Sequence, residues 1–215
     1  MSVFEELSRY GVVPVVAIDA ADSALPLADA LSEGGLPVAE ITFRTEAARA
    51  AIEAIAGKRP DMLVGAGTVI TLEQLESAKA AGARYALSPG IDADILARAA
   101  EIDLPFAPGL MTPSELQLAL RNGCKVVKFF PAGAAGGPKM LESVAAPYAH
   151  TGIVFNPTGG VSLDNLADWL AIPQVAMVGG TWIATRQDIA SKDWVGITAK
   201  ARAAVELVAA LRGGK

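Results

Sequence analysis

Lys128 stands in the run VVKFFPA, residues 126–132, with Val126, Val127, Phe129 and Phe130 around it and Pro131 closing the stretch. Holding an ammonium among such neighbours costs on the order of several kcal/mol unless it is paired or gives up its proton. Two readings follow. Lys128 is a structural lysine, paired with a carboxylate or reaching its head to water, or apolar surroundings keep it as the neutral amine that attacks a carbonyl. A second strand-like run, VAEITFR (38–44), carries Glu40, Thr42 and Arg44 two residues apart. At that spacing they share one face of a strand, while Ala39, Ile41 and Phe43 share the other. Glu40 on that face is either a structural partner for a cation or a general acid/base beside Lys128.

Other runs end in small residues and hydroxyls. GAGT (65–68) presents Thr68, and SPG (88–90) presents the backbone around Pro89. FNPTGGVS (155–162) carries Thr158, Gly159 and Gly160, and VGGTW (178–182) carries Gly179, Gly180 and Thr181. One Gly-Gly alone is most simply a tight turn. Two of them ending consecutive strands suit a phosphate held by backbone N–H groups at a helix N-terminus, with threonine hydroxyls assisting.

These residues need a scaffold that gathers strand ends. Eight apolar, β-branched runs alternate with Ala/Leu/Glu-rich stretches: 12–18, 38–44, 62–69, 84–90, 104–110, 125–132, 152–160 and 175–182. Helices are predicted between them, among others over 45–58, 71–83, 112–123 and 162–170. Thr71 with Gln74 and Thr112 with Glu115 fit capping boxes, Pro113 suits a first helical position, and Gly82 and Gly123 suit helix ends. Alternating strands and helices imply βα units and a parallel sheet. Eight such units in 215 residues predict an α/β fold, a (β/α)8 barrel with a short N-terminal helix, as a single domain over 1–215. A doubly wound open sheet is the alternative. In a barrel alternate strand residues point inward and sites gather at the strand C-terminal ends, so Glu40 and Lys128 meet inside while Arg44 lies nearer the mouth.

Composition narrows the function. Hydrophobic residues make up 52% and charged residues 19% of the chain, with a net charge of −5, a balance for a folded core and against disorder. An acidic total argues against nucleic-acid or membrane-surface binding. No run approaches the length of a membrane span, and MSVFEELSRYG lacks signal-peptide order. The single cysteine, Cys124, rules out an intramolecular disulfide and, read as a small buried filler, fits a reducing, cytoplasmic compartment. Metal chemistry has little support, because the one histidine, His150, lies away from the strand ends and no ligand cluster is spaced for a metal. Neither GxSxG, a Walker motif nor GxGxxG occurs.

Taken together and in order, VVPV, EITFRT, VGAGTV, SPG, KFFPA, PTGG and GGTW resemble the bacterial 2-keto-3-deoxy-6-phosphogluconate (KDPG) aldolases, which often also cleave 4-hydroxy-2-oxoglutarate. The resemblance covers essentially the whole chain. It implies a class I, metal-free aldolase without a cofactor, usually a homotrimer, acting on a phosphorylated 2-keto-3-deoxy sugar acid and releasing pyruvate. By the same resemblance Lys128 is the Schiff-base lysine and Glu40 the general acid/base. Arg44, Thr68 and the backbone near Pro89 bind the pyruvate carboxylate, and Phe130 packs beside the imine. Thr158, Gly159, Gly160, Gly180 and Thr181 line the aldehyde and phosphate end. Many relatives have an acidic residue where this chain has Gly133, which bears on the loop after KFFPA and on substrate preference. A phosphogalactonate-type aldolase, a non-catalytic phosphate-sugar-binding barrel and an isomerase using Glu40 as base are the rival readings.

Overall fold

The computed structural model describes residues 1–213. Nine strands occur among them: β1 (Val12–Val16), β2 (Val38–Thr42), β3 (Leu63–Gly67), β4 (Ala86–Leu87), β5 (Phe106–Ala107), β6 (Gly109–Leu110), β7 (Val126–Phe129), β8 (Val154–Pro157) and β9 (Val178–Gly180). Helix α1 (Val3–Tyr10) precedes them, and most crossovers carry a helix: α2 (Ala24–Glu33), α3 (Ala48–Lys58), α4 (Leu72–Ala80), α5 (Ala93–Glu101), α6 (Pro113–Arg121), α7 (Gly137–Ala145) and α8 (Leu166–Leu170). Helices α9 (Arg186–Ala190) and α10 (Trp194–Gly213) close the chain.

Every strand pairing is parallel. The fold is α/β with a curled parallel sheet in two parts, one ordered β5-β4-β3-β2-β1-β9 and one ordered β6-β7-β8. The fifth expected strand, 104–110, is therefore two strands broken at Pro108. Proline has no N–H to give to a ladder, although Pro108 O still accepts from Lys128 N at 2.8 Å. Across the other seam, isolated parallel bridges join Phe155 to Val175 and Thr158 to Gly179.

The predicted ends hold where side chains fix them. Thr112 and Glu115 form a full capping box with Pro113 at the first turn of α6. Thr71 accepts from Gln74 N, but Gln74 Oε1 turns to Ile70 N, so only half of that box forms. Gly82 and Gly123 adopt φ of 87° and 75°, the left-handed conformation that ends a helix. The helix expected over 162–170 shrinks to α8. Asn165 holds the preceding loop, with Oδ1 accepting from Ser162 N and Nδ2 donating to Gly160 O, each at 2.9 Å.

Candidate active site

Among the described residues seven polar or charged ones are buried: Glu40, Thr42, Ser88, Lys128, Asn156, Thr158 and Thr198. All but Thr198 come from strands or the residue just after one, so the polar interior belongs to the strand ends and not to the helix layer. At its centre Lys128 Nζ donates to Glu40 Oε1 at 2.8 Å. The two residues are 3% and 0% exposed, and the second carboxylate oxygen, Oε2, has no partner. The strand parity read from VAEITFR is thus correct for Glu40. Ala39 and Ile41 pack in the hydrophobic core.

Glycines give the carboxylate its place. A Cβ on Gly67 would fall on Glu40 Oε1 and lie 2.7 Å from Cγ and 2.8 Å from Cδ. Tyr85 fills the neighbouring gap, its ring pressed over Gly65 and its hydroxyl donating to Ala39 O at 2.9 Å. Burial, reinforced by the Glu40 charge, pushes the Tyr85 hydroxyl well above its ordinary value, so it remains a neutral donor beneath the pair.

Toward the mouth, Arg44 Nε donates to Thr68 Oγ1 at 3.2 Å. Thr68 has φ of 56°, which is strained for a β-branched residue and is the kind of outlier found where side chains must be aimed. Phe130 lies with its ring centroid 5.9 Å from Lys128 Nζ. Pro89 is placed by Gly109, the register partner of Lys128. Gly109 N donates to Gly90 O at 3.2 Å, and the Pro89 carbonyl occupies the space a Gly109 side chain would need.

The bridge from Thr158 to Gly179 sets PTGG beside VGGT. Gly159 and Gly160 have φ of 90° and 79°, and a Cβ on Gly179 would meet Thr158 Oγ1 and lie 2.9 Å from its Cγ2. The loop after β7 docks here too, with Ala132 N donating to Thr158 O and Gly133 N to Gly159 O, both at 2.8 Å. One expectation needs correction. Neither glycine pair abuts a helix N-terminus, because α8 starts at Leu166 and α9 at Arg186. The Asn165 loop intervenes in the first case, and in the second Thr185 caps α9 through its own box with Asp188.

The structure therefore brings Lys128, Glu40 and Phe130 together, sets Arg44 against Thr68, and gathers Thr158, Gly159, Gly160, Gly180 and Thr181 along one seam. Sequence reasoning missed Asn156 and Tyr85. Asn156 is 1% exposed and is the register partner of Lys128 on β8. A polar residue in an otherwise apolar run, two before Thr158, is the same cue that marked Lys128. Nothing in RYALSPG separates Tyr85 from an ordinary core tyrosine. His150 is exposed and Cys124 is buried, with burial raising the thiol above its ordinary value. Among the described residues no group of three His, Cys, Asp or Glu is placed to hold a metal ion.

The family model for KDPG and KHG aldolases matches residues 3–200. A 2-dehydro-3-deoxy-phosphogluconate aldolase of Haemophilus influenzae is 43% identical over 206 residues, covering 96% of both chains. A KHG/KDPG aldolase of Escherichia coli is 44% identical over 200 residues, covering 93% of both. Among solved structures, the KDPG aldolase of Legionella pneumophila, with pyruvate captured at low pH as a covalent carbinolamine intermediate, superposes with a TM-score of 0.89 at 40% identity. That match covers 94% of this chain and 97% of the other. The chain belongs to the KDPG and KHG aldolase family.

Proposed function

We propose that this protein is a class I aldolase that cleaves 2-dehydro-3-deoxy-6-phosphogluconate to pyruvate and glyceraldehyde 3-phosphate, and 4-hydroxy-2-oxoglutarate to pyruvate and glyoxylate. The observation that carries the reading is the buried pair of Lys128 and Glu40, 2.8 Å apart in a polar interior. A proton passed within the pair frees the Lys128 amine, which adds to the C2 ketone of the substrate. Glu40, now holding that proton, gives it to the carbinolamine hydroxyl, which leaves as water, so that a protonated imine forms and Glu40 is again a carboxylate. The C3–C4 bond then breaks with its electrons drawn into the imine, leaving an enamine, while Glu40 takes the C4 hydroxyl proton as the aldehyde departs. Glu40 returns a proton to C3, and water hydrolyses the imine to release pyruvate and restore the amine.

Arg44 and Thr68, already hydrogen-bonded to each other, hold the pyruvate carboxylate with the backbone at Pro89, and Phe130 covers the imine. The seam of Thr158, Gly159, Gly160, Gly180 and Thr181 takes the aldehyde and phosphate end; the bridge joining its two halves supports this. No step needs a metal or a cofactor, so a chelator leaves turnover unchanged.

The same reading makes residues 1–215 one domain whose two sheets close as a single (β/α)8 barrel; the Pro108 break and the bridges across the other seam are consistent with closure. It also makes the protein a cytoplasmic homotrimer. Among the described residues no helix is long and apolar enough to cross a membrane. Exposed Ile70, Leu72, Met111 and Met140 offer apolar surface for subunits to cover.

The test is borohydride reduction in the presence of pyruvate, followed by intact mass and peptide mapping. The expected result is a reduced pyruvate adduct on Lys128 that is absent from Lys128→Met. A folded wild-type protein that yields no adduct overturns the proposal.

A further inference from the structure

Among the described residues two buried acceptor oxygens lack a donor: Glu40 Oε2 and Asn156 Oδ1. The first belongs to the acid/base of the reading above, on which this inference rests. The second has no role in it. A buried carbonyl oxygen without a hydrogen bond weakens a fold, and an apolar side chain of similar size there is neutral or better. Asn156 flanks Phe155, which is wholly buried in the core, and Val or Ile suits such a strand position. An amide at that point calls for a reason other than packing.

Its position supplies one. Asn156 and Lys128 are register partners on adjacent parallel strands, so their side chains leave the sheet on the same face about 4.8 Å apart. Lys128 Nζ has hydrogens beyond the one given to Glu40 Oε1. In the imine a single N–H remains, and at that stage Glu40 is needed at the C4 hydroxyl and at C3. A second carboxylate beside the nitrogen would hold it as an ion pair and compete with Glu40. An amide oxygen accepts a hydrogen bond without taking the proton.

We propose that Asn156 is a positioning residue for Lys128, its Oδ1 accepting a hydrogen bond from Nζ through amine addition and imine formation so that Glu40 is free to serve the substrate. Asn156 forms no bond to substrate in this role; it sets where the nitrogen lies and which hydrogens it offers.

The experiment compares Asn156→Val with Asn156→Thr, which match in shape and differ in one acceptor oxygen. Rates of pyruvate adduct formation under borohydride, kcat, KM and melting temperature are measured for both and for wild type. Asn156→Val is expected to melt at or above the wild-type temperature, to form the adduct roughly tenfold more slowly and to lose kcat by a similar factor, with KM changed less than about twofold. Asn156→Thr is expected to recover most of the lost rate. Equal adduct rates in wild type and Asn156→Val overturn the inference and leave the aldolase reading standing. An Asn156→Val protein that melts far lower while the surviving folded fraction reacts at the wild-type rate also overturns it, because the amide is then only structural. If Asn156→Val fails to fold, Asn156→Thr against Asn156→Ala decides by the same rates. No adduct in wild type removes both the aldolase reading and this inference.

Discussion

Gly67→Ala places one methyl against the Glu40 carboxylate. Gly67 has an ordinary backbone that alanine adopts without strain, since it is not among the positive-φ positions. The new Cβ would lie 2.7 Å from Glu40 Cγ and 2.8 Å from Cδ, whereas carbon atoms rest about 3.5–4.0 Å apart. The carboxyl must retreat by about 0.7–1.3 Å, and if it moves away from the lysine the present 2.8 Å contact stretches to or past the limit of a hydrogen bond, about 3.5 Å. A displacement of about 1 Å at a reacting group costs about a hundredfold in rate, and overfilling the interior costs about 1–3 kcal/mol of stability. The expected result is kcat down about a hundredfold, melting lower by about 2–4 °C for each kcal/mol lost, and a pyruvate adduct that still forms on Lys128. Coupled-enzyme turnover, calorimetry and borohydride trapping read the three quantities. A folded Gly67→Ala protein with turnover within twofold of wild type would refute the claim that this glycine makes room for Glu40.

Gly57→Ala is the matched control: Gly57 sits within α3, and an added Cβ meets nothing within 4 Å beyond the backbone of its own helix, so the helix gains about 0.5–1 kcal/mol with activity unchanged, and a lower melting temperature contradicts this. Glu40→Gln is expected to retain imine formation while turnover falls about 10²–10⁴-fold; near-normal steady-state cleavage would remove Glu40 from the chemistry. Burial alone would raise the Glu115 carboxyl, but bonds from Met111 N–H and from the Thr112 hydroxyl and N–H hold it below its ordinary value of 4.5. A carboxyl depressed in the folded state stabilises above its unfolded pKa, and the contribution is lost as pH falls through the folded one. Urea midpoints should therefore show Glu115→Gln less stable than wild type at pH 7, with the gap closing in acid below about pH 4. A gap of equal size at both pH values would show that the charge is irrelevant.

Gly133 ties the loop after KFFPA to the neighbouring turn. Its N–H bonds to Gly159 O, and a side chain there would bring Cβ within 3.2 Å of Gly160 Cα. The loop after β7 therefore lies closely on the PTGG turn, and that turn lines the aldehyde end of the proposed site.

Local chemistry determined much by itself. Period-two spacing put Glu40 and Thr42 on the inner face and Ala39 and Ile41 on the outer one, because side-chain alternation is a property of any strand. Caps at Thr112 and Gly123 depend on residues within a few positions, and they formed where the sequence placed them. The resemblance of KFFPA and the other motifs to the aldolases then pointed to the chemistry proposed for Lys128. Tertiary structure decided the rest. Glu40 and Lys128 are 88 residues apart, and their 2.8 Å contact depends on how far the strands are offset along the sheet. Asn156 became conspicuous only when parallel register set it beside Lys128 with an unpaired oxygen, and Tyr85 only when Gly65 opened space for its ring. The break at Pro108 and the loop held by Asn165 shortened elements that pattern alone extended. Pairing partners, offsets and the filling of space above a glycine are properties of distant segments meeting, and a local pattern carries no information about them.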